Sequence, residues 1–134
     1  MTAGNDGGAS PDPRRRAAET RGRRAETIAA WWLRLKGYRV LARRFRSGAG
    51  EIDLILRCGR TIVFVEVKSR ADETEAILAV TPAARRRIAR AAELWIARHP
   101  ALAGLDRRFD VVLAVPGKLP NHLVSVFDSE GRSW

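Results

Sequence analysis

With one cysteine, two histidines, one tyrosine and one methionine in 134 residues, the chain is poorly supplied for several kinds of chemistry. Cys58 alone can form neither an internal disulfide nor a cysteine-rich zinc site. His99 and His122 are far apart in sequence, so each reads as a cap or surface residue rather than a metal ligand. No run approaches the roughly 18 apolar residues of a membrane span. The opening residues, MTAGNDGGASPDPRRRAAETRGRR, lack the apolar centre of a signal peptide. A cytoplasmic protein with no membrane segment is expected. Lysine is scarce too: 22 of the 25 basic residues are arginine.

What is abundant is positive charge. The formal net charge is +10, and +7 of it remains when residues 1–24 are set aside. The basicity therefore belongs to the body of the protein. Guanidinium is always charged and its fork matches phosphate oxygens, so a nucleic acid is one partner this excess suits. Solubility and arginine-rich codon usage account for the same number equally well.

Residues 1–21 are rich in Gly, Pro, Ala and Arg without apolar periodicity, and read as a disordered basic tail ahead of one domain over residues 22–134. From Arg23 to Lys36, Ile28, Trp32 and Leu35 recur at helical spacing, and Gly37 stops the run. Trp31, Trp32 and Trp95 read as core residues. YRVLARRFR (38–46) is a strand carrying basic residues, and Glu51–Arg57 and Thr61–Lys68 are two more. A polar connection over 71–79 leads to Thr81–Pro82, an N-cap followed by proline at the first helical position. That helix buries Ile88, Ala91, Ala92 and Trp95 and crowds Arg85, Arg86, Arg87 and Arg90 into its first half. RFDVVLAV (108–115) and HLVSVF (122–127) complete the order α-β-β-β-α-β-β, a mixed central sheet with helices on both faces. Asp110, inside the first of these strands, is expected to pair with Arg108 or Arg43.

The strands around GEIDLILRCGRTIVFVEVKSR (50–70) carry the chemistry. Side chains two apart on a strand share a face, so Glu51, Asp53, Ile55 and Arg57 oppose Ile52, Leu54 and Leu56. An even-length loop, with Cys58-Gly59 as the turn, would pair Glu51 with Glu66 and set Asp53 diagonally beside Glu66. One face of the hairpin then runs from apolar at the turn to Glu51, Asp53, Glu66 and Lys68 at the far end. Carboxylates meeting in a partly dry setting repel unless a cation joins them. Oxygen ligands of this kind suit Mg²⁺ or Mn²⁺ with a substrate phosphate. Lys68 would neutralise phosphate charge or orient an attacking water. A local Lys68–Glu66 salt bridge is the competing reading.

Asp53 followed by Glu66-Val67-Lys68 resembles the PD-(D/E)xK nuclease motif, whose folds include restriction endonucleases and archaeal Holliday junction resolvases. More closely, GRRAE, KGYRVLARRFR, GEIDLI, VFVEVKSR, AVTPAARRRIARAAELWIARH and RFDVVLAV resemble the YraN family, over about residues 22–127. The resemblance implies a restriction endonuclease-like fold, with Asp53 and Glu66 as metal ligands and Lys68 as the catalytic lysine. Glu26 would be a further acid near the Mg²⁺ or Mn²⁺. Two departures stand out: family members often have Asn at position 44 and Lys at position 84, where this chain has Arg44 and Ala84. On this reading Arg43, Arg44, Arg46, Arg70, Arg85, Arg86 and Arg90 bind the backbone of DNA, and cutting a duplex or junction calls for a homodimer. A non-catalytic nucleic-acid-binding or assembly module on the same fold is the alternative.

Overall fold

A computed structural model of the chain describes residues 12–70 and 72–132. The first helix, α1, spans Pro13–Leu35 and starts ten residues before the position expected from the apolar periodicity. Asp12 and Pro13 form the same N-cap and N1 pair that marks the later helix, and Asp12 Oδ1 accepts the Arg14 N–H at 2.9 Å. Residues 12–21, assigned to the tail from composition, are therefore the N-cap and first turns of α1; the expectation for residues 1–11 lies outside the described residues. The face α1 buries is Ala25, Ala29, Ala30 and Leu33, and the three alanines let the helix lie close on a sheet. Ile28, Leu35 and Trp31 point outward, Trp31 being 59% exposed, which corrects the core reading of that tryptophan. Trp95 is buried as expected.

Strands β1 (Arg39–Arg46), β2 (Glu51–Cys58) and β3 (Thr61–Ser69) form an antiparallel meander. A short helix α2 (Glu73–Leu78) and the longer α3 (Pro82–Ala97) then cross to β4 (Asp106–Ala114), which runs parallel to β3. Antiparallel β5 (Asn121–Phe127) completes a sheet of order β1-β2-β3-β4-β5. The α2 turn falls in the segment expected to be only a polar connection. Because β3 and β4 are covered on both faces, they read as nearly continuous apolar runs. On the α1 side lie Leu54, Leu56, Val63, Val65 and Val112; on the α3 side Ile55, Ile62, Phe64, Phe109 and Phe127 pack around Trp95. Phe64, Phe109 and Phe127 stack across three adjacent strands at centroid separations of 5.3 and 4.9 Å. Each such pair adds about 0.5–1.5 kcal/mol to simple burial.

The hairpin loop is even in length, but it turns at Gly59-Arg60 and not at Cys58-Gly59, since Cys58 pairs with Thr61. Gly59 has φ +61, the positive value that a type II′ turn requires at its first central residue. A two-residue shift by itself changes no face but moves each partner along by two. Alternation itself breaks at one place: Ile52 joins Ile55 on the α3 side while Leu54 faces α1.

A polar knot sits under the C-terminal end of α1. Asp110 is fully buried and accepts from Arg108 Nη2 at 2.8 Å, His122 Nε2 at 2.7 Å and the Ser125 N–H at 2.9 Å. Burial alone would raise its pKa, but the hydrogen bonds from His122, Arg108 and Ser125 hold the carboxyl below the ordinary aspartate range. Lys36 Nζ, which can only donate, lies 3.1 Å from His122 Nδ1. The two contacts fit the imidazole tautomer with its proton on Nε2. His122, expected at the surface, has a side chain 2% exposed. Of the two partners expected for Asp110, Arg108 is the one found; Arg43 instead donates to Thr27 Oγ1.

The turn over residues 128–132 folds back on α3. Arg85 Nε donates to Gly131 O at 3.0 Å and Nη1 to Val80 O at 2.9 Å. Gly131 has φ +82, and a Cβ there would lie 2.9 Å from the Arg86 amide nitrogen. Gly131→Ala is expected to destabilise the protein by about 1–3 kcal/mol through left-handed strain and this clash, measurable as a lower midpoint in urea at unchanged slope.

Candidate functional site

The β2–β3 ladder stops at the pair Leu54 and Val65. Beyond it the side chains of Asp53 and Glu66 still meet. There the Val67 N–H donates to Asp53 Oδ2 at 2.7 Å, so a carboxylate takes the place of a main-chain acceptor. Lys68 Nζ lies 3.6 Å from Glu66 Oε2, and these two side chains are only 19% and 15% exposed. The local salt bridge weighed from sequence is thus formed, with Asp53 against its other side. Burial, followed by the hydrogen bond and charge of Glu66, pushes the Asp53 carboxyl up to about 8, against the opposing pull of the Val67 N–H and of Lys68. Two facing carboxylates in a desolvated corner share a proton, or a cation must replace it.

The site opens into a cavity of about 510 Å³ between the β1–β2 turn and α3. Ser47–Gly50 form its lip, with Ser47 Oγ accepting the Ala49 and Gly50 N–H groups at 3.2 Å. Asp53, Glu66 and Lys68 line its floor, and Ala84, Arg87 and Ile88 its α3 wall. A second cavity of about 290 Å³ lies on the α1 side, walled by Arg23, Glu26, Arg44 and Arg46. Glu51 and Asp53 border both.

The acids and bases chosen from sequence divide between these places. Asp53, Glu66 and Lys68 come together. Glu26 faces the second cavity, where its Oε1 accepts from Arg44 Nε at 2.5 Å. Among the described residues no three His, Cys, Asp or Glu side chains are grouped to hold a metal ion between them. Arg44 has φ +53, a left-handed backbone that asparagine tolerates better than arginine, which gives the first sequence departure a physical setting. Arg46 pairs with Glu51 at 3.2 Å, and Arg70 donates to its neighbour's carbonyl, Ser69 O, beside a separate depression.

On α3 the expectation shifts by a helical face. Arg85 is a structural tie to Gly131 and Val80, and Arg86 and Arg90 border a shallow groove with Glu93 and Glu130. The α3 residues in the main cavity are Ala84, Arg87 and Ile88, at spacing i, i+3, i+4. Extending the stripe of Ile88, Ala91 and Trp95 one turn toward the N-terminus reaches Ala84 and Arg85, so periodicity alone does not single out Arg87 from the four arginines. Arg23 carried no signal either, because its place depends on where α1 crosses the sheet.

A five-stranded mixed sheet with one helical layer on each face, and an acid–acid–lysine cluster in a cleft where β2 and β3 part, defines an α/β protein with a candidate polar site. Comparison with known sequences narrows this. The profile of the family described as "Uncharacterised protein family UPF0102" matches residues 25–114, a span that includes Glu26, Asp53, Glu66, Lys68 and Arg87. A UPF0102 protein of Methylorubrum extorquens is 52% identical over 123 residues, 92% of this chain and 96% of the relative. One from Methylobacterium nodulans is 53% identical over 117 residues, 87% and 91% of the two chains, and one from Paramagnetospirillum magneticum 50% over 119, 86% and 92%. The chain belongs to UPF0102, which is the YraN family its motifs resemble.

Proposed function

We propose that the protein is a divalent-metal-dependent nuclease with a restriction endonuclease-like fold, hydrolysing phosphodiester bonds in DNA. One observation carries this reading: the Asp53 and Glu66 carboxylates meet at the floor of an open polar cavity with Lys68 beside them. A pair that must share a proton is a pair suited to share a cation. Mg²⁺ is commonly held by one or two carboxylates, with waters and substrate phosphate filling the remaining positions, so this donor set fits it without a third protein acid. Bound there, the ion would polarise the phosphodiester and lower the pKa of a water. The chain's own residues supply the rest. Asp53, fixed by the Val67 N–H, and Glu66 orient toward the cavity. The Lys68 ammonium neutralises charge building on the phosphate and stays next to the site through Glu66.

The test is incubation with supercoiled, single-stranded and four-way-junction DNA in Mg²⁺ or Mn²⁺. Asp53→Ala, Glu66→Ala and Lys68→Ala are each expected to reduce cleavage at least a hundredfold, about 3 kcal/mol of barrier. Cleavage that survives all three changes would rule the assignment out.

A second reading, a module that binds nucleic acid without cutting it, is favoured by the engagement of Glu26 with Arg44 and by the lack of a three-acid group among the described residues. It predicts salt-sensitive binding with no metal-dependent cleavage.

A further inference from the structure

The arginines around the carboxylate pair are not equivalent. In the smaller cavity Arg44 is paired with Glu26 and Arg46 with Glu51, and in the larger one Lys68 is paired with Glu66. Of the basic residues that line these two cavities, Arg87 in the larger and Arg23 in the smaller make no ion pair or hydrogen bond among the described residues, although Glu19 lines the smaller cavity too. Both are exposed. They stand on opposite sides of the same divide, because Asp53 and Glu51 border both cavities.

The backbone beneath Arg87 is fixed. The Ser47–Gly50 lip touches α3 at this residue: a Cβ added to Gly50 would lie 3.1 Å from Arg87 Cβ and 3.2 Å from its carbonyl oxygen. Arg23 is held by the helix that anchors Glu26, three residues on. An unpaired guanidinium at the wall of a polar cleft is stabilised by an anion, and a planar fork matches phosphate oxygens. Two such groups flanking a carboxylate pair suit a chain of regularly spaced phosphates better than a single small anion.

We propose that a nucleic-acid strand lies across the Asp53 divide, with a phosphate on one side of the carboxylates held by Arg87 and one on the other side held by Arg23. This rests on the nuclease-like reading for the kind of ligand, but concerns binding and does not require that the site cut. Arg86 and Arg90, on the neighbouring face of α3 with Glu93 and Glu130, lie off this path.

The experiment measures binding of the full chain to fluorescein-labelled single-stranded, duplex and four-way-junction DNA in EDTA, across a salt series. Arg87→Gln and Arg23→Gln are each expected to weaken binding about five- to thirtyfold at low salt. Each should also flatten the plot of log K against log salt by about one phosphate contact, and the double variant by about two. Arg87→Lys should restore most of the slope. Arg90→Gln should bind like the unchanged protein, and all variants should melt within a few degrees of it. An unchanged slope in either Arg87→Gln or Arg23→Gln overturns the path, as does an equal loss in Arg90→Gln; in each case metal-dependent cleavage that still requires Asp53 leaves the nuclease reading standing. If the unchanged protein binds none of the three DNAs in EDTA the path falls, and the nuclease reading falls with it if there is no metal-dependent cleavage that requires Asp53.

Discussion

Asp110→Ala is expected to cost about 3–5 kcal/mol of folding stability, a large fraction of the roughly 5–15 kcal/mol that holds a domain folded. Its carboxylate is the common acceptor for Arg108, His122 and the Ser125 N–H, all drawn into a region where Asp110 itself has no exposure. Removing it leaves a guanidinium and an imidazole N–H without their acceptor, and an amide at a backbone that stays left-handed, since Ser125 has φ +57. Asp110→Asn keeps the shape and one acceptor oxygen, and should lose less. The pH dependence follows from the direction of the shift. The folded-state pKa lies below the unfolded value, so the stabilisation is complete above about pH 4 and is lost as pH falls through the folded value. Urea unfolding at pH 7 and at pH 3 should show the gap between the unchanged protein and Asp110→Asn narrowing toward acid.

Asp53→Asn should move stability the other way. At neutral and mildly alkaline pH the metal-free protein carries a cost at this site, because the folded-state pKa is raised to about 8 from an ordinary 3.8. Between those values the folded chain holds a proton that the unfolded chain has released, so stability falls as pH rises through the window and levels off above it. The amide removes the repulsion with Glu66 and should raise stability at pH 8 by about 1–2 kcal/mol, the usual size of a gain from relieving a functional site. It should also flatten the decline in melting temperature between pH 5 and 8. Divalent cation should act on the unchanged protein alone, by about 2.7 kcal/mol at a hundred times its Kd. Melting curves at pH 5, 6.5 and 8, with and without Mn²⁺, separate these effects. A variant less stable than the parent at pH 8 would mean that Asp53 is a structural anchor for Val67 and not a strained carboxylate.

These two aspartates show how far residue order reaches. Period-2 alternation around two turn residues was enough to bring Asp53, Glu66 and Lys68 to one end of a hairpin, because a register error of two residues leaves every face unchanged. The N-cap and proline at Thr81–Pro82 located α3, and the same pair at Asp12–Pro13 marks the start of α1, though arginine-rich composition disguised it. Family membership was likewise legible from short motifs. The tertiary structure decided what local patterns cannot encode. Which arginine reaches the cleft depends on the face α3 presents, and Arg87, not Arg85, Arg86 or Arg90, is on it. Which apolar residues of α1 are buried depends on how closely the helix approaches the sheet, and alanines take that face while Trp31 points outward. Asp110 and His122 meet only because β4 and β5 pair around a bulge next to the end of α1. Sequence determines periodicity and capping, which are local free energies. Partners distant in the chain are chosen by packing, where burial makes each unpaired polar group expensive.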